Sequence, residues 1–323
     1  MPEPEISEKN TPDQTGRVHF VTGGYTGVGL ALCHMLYAAN AKIYIAGRSE
    51  AKANKAISEL RAAHPDSKGT LTFISVDLSD LRTIAPAVKS FTDQESDLHV
   101  LTNNAGVMVP PKGSVGAQGK ELQLQTNCLG PFLLTELLLP TLKHTAAKSP
   151  KGTVRVTWAA SLTQLFSPPG GVTFTSGPDP EPVVPDVKHV AYAMSKAANI
   201  LLAAALAQRV SKDGIISLSF NPGNLDSELQ RHVPMWQKLI TGWWLLFPVR
   251  YGGCTELWAA LGDVPEEKNG SYVAPWGQLA TPRMDIVPSM RSKEDGGNGR
   301  ADEFWEWCER TTAPFRDVST SSS

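Results

Sequence analysis

Residues 17–29 read Arg-Val-His-Phe-Val-Thr-Gly-Gly-Tyr-Thr-Gly-Val-Gly, an apolar run that ends in a cluster of glycines. The run up to Thr22 predicts a buried strand, and the periodic segment from Gly27 predicts a helix. Glycines between a strand and a helix let the backbone turn tightly and approach a pyrophosphate, whose charge the helix N-terminus stabilises. Glycine clusters also occur in plain turns, so this motif alone leaves both interpretations open.

Beyond this motif, short β-branched runs alternate with longer segments of helical period. This alternation predicts βα units, whose parallel strands are covered by helices on both faces. The sequence therefore predicts an α/β fold with a doubly wound parallel seven-stranded sheet, the Rossmann arrangement. The predicted strands are Arg17–Thr22, Ile43–Ala46, Leu71–Val76, Leu98–Asn103, Thr153–Ala159, Ile215–Phe220 and Ser271–Ala274.

A single domain is predicted, although a chain of 323 residues is long enough for two by length alone. The alternation covers most of the chain, so the domain is predicted over 17–311. Flexible tails are predicted over 1–16 and 312–323, and a C-terminal extension of the domain over 275–311. Residues 225–251 interrupt the alternation and are a candidate substrate lid.

The composition is that of an ordinary globular protein, with 41% hydrophobic and 19% charged residues. A formal net charge of −2 with dispersed Lys and Arg gives no electrostatic footprint for nucleic acid. No apolar run reaches the roughly 18 residues of a membrane-spanning helix, and residues 1–16 are too acidic for a secretory or transit signal, so we predict a cytoplasmic protein. The cysteines lack metal-ligand spacing, and no metal site is predicted from Cys33, Cys128, Cys254 and Cys308.

The end of the second strand carries Gly47 and Arg48. A chain that binds NAD usually has an acidic residue there, which accepts a hydrogen bond from the ribose 2′-hydroxyl and repels a 2′-phosphate. A fork-shaped guanidinium suits the phosphate instead, although a solvated surface arginine is the alternative. We therefore predict that NADP(H) binds better than NAD(H).

Two further strand ends carry polar or small residues that we expect at the same edge of the sheet, because ligands bind over the carboxyl ends of parallel strands. Asp77 and Leu78 end the third strand, and Asn104, Ala105 and Gly106 follow the fourth. Asp77 is placed to accept a hydrogen bond from an adenine amino group. An aspartate after a strand is also frequent as a turn or cap residue.

Tyr192 and Lys196 are four residues apart in a helical segment, hence on one face and one turn apart. A neighbouring ammonium stabilises a phenolate, so this spacing predicts a lowered pKa for Tyr192 and a usable proton donor to a carbonyl. The pair alone is common by chance. Ser161 ends the fifth strand and Asn127 lies in a long helix after the asparagine-rich turn, which adds two polar groups to the set.

Taken together, these motifs resemble the short-chain dehydrogenase/reductase family over about residues 17–274. The glycine turn, Asn-Asn-Ala-Gly, Asn127, Ser161, Tyr192, Lys196 and Pro222-Gly223 occur in the family's order. Within the family, Arg48 and the segment Ser195–Ile200 are most similar to the retinol-dehydrogenase-like and WW-domain-oxidoreductase-like branch. Thr26 departs from that pattern, because it offers no second basic contact to a phosphate.

The resemblance implies a role for each member of the catalytic set. Tyr192 would be the general acid in reduction and the base in oxidation, and Lys196 would hold the nicotinamide ribose. Ser161 would bind the substrate oxygen, and Asn127 would anchor a water that relays protons. The predicted cofactor contacts are Gly23, Tyr25, Thr26, Gly27, Val28, Gly29, Arg48, Ser49, Asp77, Leu78, Asn104, Ala105, Gly106, Tyr192, Lys196, Pro222, Gly223, Leu225 and Ser227.

The segment between Pro234 and Val249 is unusually aromatic and leaves three interpretations open: a substrate lid, a membrane or partner contact, and core packing. Because the family carries its lid here, we interpret the segment as a lid. The predicted substrate contacts are Trp236, Trp243 and Trp244.

The sequence thus predicts an NADPH-dependent reductase of a carbonyl on an apolar, cyclic small molecule of the retinoid, steroid or polyketide kind. Alcohol oxidation is the same reaction in reverse. A homologue with a non-redox role, as a cyclase or a cofactor-sensing regulator, is the alternative. The resemblance implies a homodimer or tetramer built on the long helices, unless the C-terminal extension covers one of these surfaces.

Overall fold

A sheet of eight strands lies at the centre of the part of the chain that the computed structural model describes, residues 3–225 and 246–317. Along the chain these are β1 (Val18–Thr22), β2 (Lys42–Gly47), β3 (Thr70–Ser75), β4 (Val100–Asn103), β5 (Val154–Ala159), β6 (Ile215–Phe220), β7 (Tyr272–Ala274) and β8 (Gln278–Ala280). Their order across the sheet is β3-β2-β1-β4-β5-β6-β7-β8, and the first seven are parallel. The chain reverses direction across the sheet between β1 and β4, which opens a crevice at their carboxyl ends.

Helices cover both faces of this sheet. They are α1 (Gly27–Ala38), α2 (Glu50–Ala63), α3 (Ile84–Thr92), α4 (Leu122–Leu124), α5 (Gly130–Ala146), α6 (Lys188–Val210), α7 (Val249–Leu261) and α8 (Arg300–Thr312). One core cluster joins α1, α2 and α7 to the sheet, and a larger one on the opposite face joins α3, α5, α6 and α8. The central strands β4, β5 and β6 are buried along their whole length, as near-continuous apolar runs predict.

The structure confirms the doubly wound parallel sheet and corrects its strand count. β8 pairs antiparallel with β7, so the sheet has one more strand than the seven predicted. All three residues of β8 are exposed. A short exposed edge strand has neither the apolar run nor the alternation by which buried strands are recognised in sequence.

Described residues near both termini contact the rest of the domain. In the segment expected as a loose tail, the indole N–H of Trp258 donates to Glu5 at 2.9 Å, and buried Gln14 donates its backbone N–H to Ala39 at 2.6 Å. At the other end, Thr312 is buried within α8, and Arg316 lies 3.3 Å from Glu136. These contacts hold described residues on both sides of the predicted range 17–311 against the domain.

Helix α6 is long and apolar enough to cross a membrane, by length and composition only. It belongs to a segment, Lys188–Asp213, whose most apolar window is 94% buried inside the protein. An all-round apolar helix of this kind is the core helix of a folded domain. Its N-terminal half carries Tyr192 and Lys196 to the carboxyl ends of the strands.

Candidate active site

The glycine turn between β1 and α1 is held in shape by close backbone approach. Gly23 and Gly27 have φ of +68° and +56°, which side chains other than glycine rarely adopt. A Cβ on Gly29 would lie 2.8 Å from the Gly23 carbonyl oxygen and 2.5 Å from the Asn104 amide nitrogen. That amide donates to the Thr22 carbonyl at 2.8 Å, so the turn after β4 is joined to the turn after β1.

Arg48 stands beside this turn, and Tyr25 positions its backbone. The Tyr25 hydroxyl accepts a hydrogen bond from the Arg48 N–H at 3.2 Å. Gly47 is required there, because a Cβ on it would lie 2.4 Å from the Tyr25 ring. The Arg48 side chain is 59% exposed and its guanidinium lies 3.9 Å from the Asp77 carboxylate. An exposed pair at this distance is weak, so the guanidinium remains available to a ligand anion.

These groups line a cleft of about 640 Å³ over the carboxyl ends of the strands. Lys52, which the sequence analysis missed, lies in the cleft wall close to Arg48 and Ser49. The Ser49 hydroxyl accepts from the Lys52 N–H and caps α2. The predicted residues that line the cleft are Gly23, Tyr25, Thr26, Gly27, Val28, Arg48, Ser49, Asp77, Leu78, Asn104, Ala105, Gly106, Ser161, Tyr192, Lys196, Pro222, Gly223 and Leu225.

Asp77 has a structural role in addition to its place in the cleft. Its Oδ1 accepts from the backbone N–H of Ser79 at 2.9 Å and from the Ser79 hydroxyl at 2.6 Å. The turn interpretation of this aspartate therefore holds, while its Oδ2 faces Arg48. Gly29 and Asn127 are not among the described residues that line the cleft.

At the other end of the cleft, Tyr192, Lys196 and Ser161 come together. Tyr192 and Lys196 are buried, and the Lys196 Nζ lies 5.7 Å from the centre of the Tyr192 ring. Nζ donates to the Ala159 carbonyl at 2.8 Å, at the end of β5, which also delivers Ser161. The Ser161 Oγ accepts from the Thr163 N–H at 3.2 Å.

The electrostatics of this group differ from the predicted ones. Burial raises the pKa of Tyr192, and the hydrogen bond with Ser161 offsets only part of that rise. The predicted lowering of this pKa by Lys196 is therefore wrong for the protein alone, because desolvation sets the direction of the shift. Burial lowers the pKa of Lys196 to about 8. Tyr192 is consequently a protonated phenol at neutral pH, the form that donates a proton.

Asn127 lies in a π-helical stretch, Gln125–Leu129, between α4 and α5. Its side chain accepts from the Val107 N–H at 2.8 Å and donates to the Val107 carbonyl at 3.0 Å. It also donates to the Ser195 hydroxyl at 3.0 Å, between Tyr192 and Lys196 in α6. Single π-turns are frequent at functional sites, and this one ties the β4 loop to the catalytic helix.

Glu256 is a group that the sequence analysis did not single out. It is fully buried in α7, and neither carboxyl oxygen has a hydrogen-bond partner among the described residues. Burial raises its pKa well above the usual range, and the charge of Lys196 lowers it in part. The same interaction works in the opposite direction on Lys196, whose pKa Glu256 raises. No sequence motif marks this carboxyl as buried.

Four predicted residues, Ser227, Trp236, Trp243 and Trp244, lie outside the described residues. The segment's two ends are in contact, since Leu225 and Phe247 form a parallel β-bridge. The Phe247 N–H donates to the Asn224 carbonyl at 2.9 Å, and its ring lies 5.3 Å from that of Trp276. Leu225 and Phe247, on either side of residues 226–245, therefore lie together beside the cleft.

Comparison with known proteins extends these observations. The sequence profile of the short chain dehydrogenase family matches residues 17–162. A short-chain dehydrogenase/reductase of Phomopsis amygdali is 43% identical over 97% of this chain and 94% of its own. The short-chain dehydrogenase/reductase pkfC of Emericella nidulans is 37% identical over 97% of each chain. The matches therefore span nearly the whole protein.

Solved structures share the fold. A putative uncharacterized protein from Mycobacterium paratuberculosis superposes with a TM-score of 0.64 at 25% identity, over 95% of this chain and 97% of its own. A carbonyl reductase from chicken fatty liver, solved with NADPH, gives 0.60 at 20% identity, over 83% and 99%. The solved structures share the fold, and the near full-length relatives at 43% and 37% identity establish that the chain belongs to the short-chain dehydrogenase/reductase family of oxidoreductases.

Proposed function

We propose that the protein is an NADPH-dependent reductase that transfers hydride between NADP(H) and a carbonyl or secondary alcohol on an apolar, cyclic small molecule. The observation that carries the proposal is that the two ends of one cleft carry different chemical groups. Its first end holds Arg48 and Lys52, and its second holds Ser161, Tyr192 and Lys196. A cleft that is basic at one end and carries a proton donor at the other suits a phosphorylated dinucleotide bound along it.

The glycine turn fits the pyrophosphate of such a cofactor. Gly23 and Gly27 keep side chains away from the N-terminus of α1, where free N–H groups and the helix dipole favour an anion. The first turn of α2 brings Lys52 to the same region as Arg48, and two cations suit a 2′-phosphate better than one. Lys52 supplies the second basic contact to the phosphate that Thr26 does not offer, and it supports a preference for NADP(H).

The chemistry follows from the protonation states of the buried groups. When bound, NADPH supplies the hydride. Tyr192 gives its phenolic proton to the carbonyl oxygen that becomes the alcohol, and Ser161 donates a hydrogen bond to the same oxygen. Lys196, whose pKa is about 8, carries a positive charge at neutral pH and stabilises the phenolate that remains. Reprotonation of Tyr192 completes the cycle.

Asn127 supports this proton transfer indirectly. Its bonds to Val107 and Ser195 hold the π-helical stretch against α6, at the residue directly before Lys196. A π-turn leaves a backbone carbonyl without its usual helical donor, and such a carbonyl can hold a water that reaches Lys196. We include Asn127 in the site as the residue that fixes this relay.

Apolar residues near the proton donor support an apolar substrate. Val107 and Met108 line the cleft beside Ser161. Directly after Ser161, Leu162 and Phe166 are 53% and 70% exposed, which is unusual for side chains of this size. Exposed apolar residues that cluster near a polar catalytic group mark a site for an apolar ligand.

The same observations bear on oligomeric state. α8 packs against α5 and α6, with Trp305 4.8 Å from the Phe132 ring and Arg209 4.6 Å from the Trp305 ring. Asp302 forms an ion pair with Arg209 at 3.0 Å. The extension thus covers the helix faces on which a dimer or tetramer was expected to form, and we propose that the protein is a monomer.

The experiment that tests the proposed function is NADPH oxidation by the purified protein over ring ketones, retinal-like aldehydes and small carbonyls, with product identification. Turnover of an apolar member to its alcohol supports the proposal. Tight NADPH binding with a product formed without net NADPH oxidation would overturn it in favour of a non-redox reaction.

A further inference from the structure

The C-terminal extension reaches the loop that follows Ser161 through a single arginine. The Arg283 guanidinium donates to the carbonyl oxygens of Leu165 at 3.0 Å, of Ser167 at 2.7 Å and of Pro168 at 2.7 Å. A longer contact joins it to the Gln164 carbonyl at 3.4 Å. The Arg283 side chain therefore donates hydrogen bonds to four backbone carbonyls within residues 164–168 of this loop.

The arginine is itself held in place from two sides. Asp285 accepts from Nε and from one terminal nitrogen of Arg283, the second at 2.8 Å, in a two-pronged pair. Asp285 also accepts from the Gly170 N–H at 2.8 Å. A planar fork with five donors suits this arrangement, which an ammonium on a flexible stem does not reproduce. The pair thus clamps both ends of the segment 164–170.

Two hydrogen bonds through Gln164 connect Arg283 to Ser161. The Gln164 side chain, 3% exposed, accepts from the Arg283 backbone N–H at 3.1 Å. The Gln164 N–H in turn donates to the Ser161 carbonyl at 3.2 Å, within a 3-10 helix that spans Leu162–Phe166. This 3-10 helix carries the exposed side chains of Leu162, Leu165 and Phe166. Its carbonyls would otherwise lack partners at the end of the helix.

We propose that Arg283 is a positioning residue, which fixes the loop after Ser161 and thereby sets how well the enzyme binds large apolar carbonyls. The proposal rests on the proposed function, because it takes Ser161 to contact the substrate oxygen. The loop presents three exposed apolar side chains, and a loop without fixed carbonyls would turn them inward away from water. The clamp keeps them exposed beside the site, where a large apolar substrate covers them.

The test compares Arg283→Ala and Arg283→Lys with Arg291→Ala, a control from the same extension whose side chain is exposed. We expect kcat/KM for a large apolar carbonyl to fall about tenfold in Arg283→Ala, mainly through KM, because small misplacements of a site cost one to two orders of magnitude. A small carbonyl and the Kd for NADPH should change little. Arg283→Lys should be intermediate, since it keeps the charge and loses the fork.

Hydrogen–deuterium exchange gives a readout that does not depend on turnover. Amides of residues 162–171 should exchange faster in Arg283→Ala, whereas amides of the glycine turn, 22–29, should not. Equal kinetics and equal exchange in Arg283→Ala and Arg291→Ala would overturn the proposal. If the wild type reduces no carbonyl, the proposed function fails, and exchange in the loop still decides whether the clamp exists. Should Arg283→Ala not fold, Arg283→Lys and Asp285→Asn carry the same comparison.

Discussion

Replacement of Arg48 by alanine tests how the protein selects its cofactor. Arg48 is 59% exposed and its nearest acidic partner, Asp77, is 3.9 Å away, so little of its charge is committed within the protein. A hydrogen bond between charged groups contributes about 1.5–3 kcal/mol. Because the side chain is exposed, the lower value applies, and about 1.4 kcal/mol corresponds to a tenfold change in Kd.

We therefore expect Arg48→Ala to weaken NADPH binding about tenfold and to leave NADH binding unchanged. Lys52 remains in the cleft, so a residual preference for NADPH should persist until Lys52→Ala is added. The assay is titration of each cofactor by calorimetry at low and at high salt. The preference should shrink at high salt, because the screening length falls from about 10 Å at 0.1 M to about 3 Å at 1 M.

Arg82→Ala is the matched control. This arginine is also exposed and binds an aspartate, Asp80, at 2.8 Å, but it is not among the described residues that line the cleft. Its removal should change neither Kd. Equal affinities of the wild type for NADPH and NADH would refute the role of Arg48, as would an equal loss of both affinities in Arg48→Ala.

Two further predictions concern stability and assembly. The raised pKa of Glu256 means that the fold favours its protonated form, so stability is lost as pH rises above the ordinary carboxyl value of 4.5. In Glu256→Gln, the free energy of unfolding should fall less steeply with pH, by up to about 1.4 kcal/mol per pH unit, as measured by urea unfolding up to neutral pH. The same slope in the variant and the wild type would contradict this prediction. Trp305→Ala should lower the free energy of unfolding by about 3–5 kcal/mol and expose the α5 and α6 faces, so that the variant associates. Light scattering should give a monomer for the wild type. A wild-type dimer would contradict the proposal that the extension covers these faces.

Local sequence patterns sufficed for the main features of the fold and site. The apolar run before Thr22 and the glycines after it specify a strand, a turn and a helix with no help from distant residues. Ser161 and Tyr192 both line the cleft, and each lies at a strand end or on a helix face that is visible in the sequence. These features depend on short-range periodicity and turn chemistry.

What the sequence missed depends on tertiary packing. Lys52 lines the cleft because it is in the first turn of α2, which begins directly after Arg48 and Ser49. The direction of the Tyr192 pKa shift was mispredicted, since it follows from burial between elements far apart in the chain. Glu256 gave no signal, because a glutamate on a helix is usually solvated. The N-terminal residues pack through single contacts such as that of Glu5 with Trp258.

The central claim is that Tyr192 donates the proton in carbonyl reduction, and the most direct measurement is the single-turnover rate of NADPH oxidation in Tyr192→Phe. Tyr44→Phe is the control, because Tyr44 is equally buried but belongs to β2, in the hydrophobic core. We predict that Tyr192→Phe slows turnover about a hundredfold or more while NADPH still binds, and that Tyr44→Phe keeps the wild-type rate. A Tyr192→Phe enzyme that reduces the substrate at the wild-type rate would contradict the account.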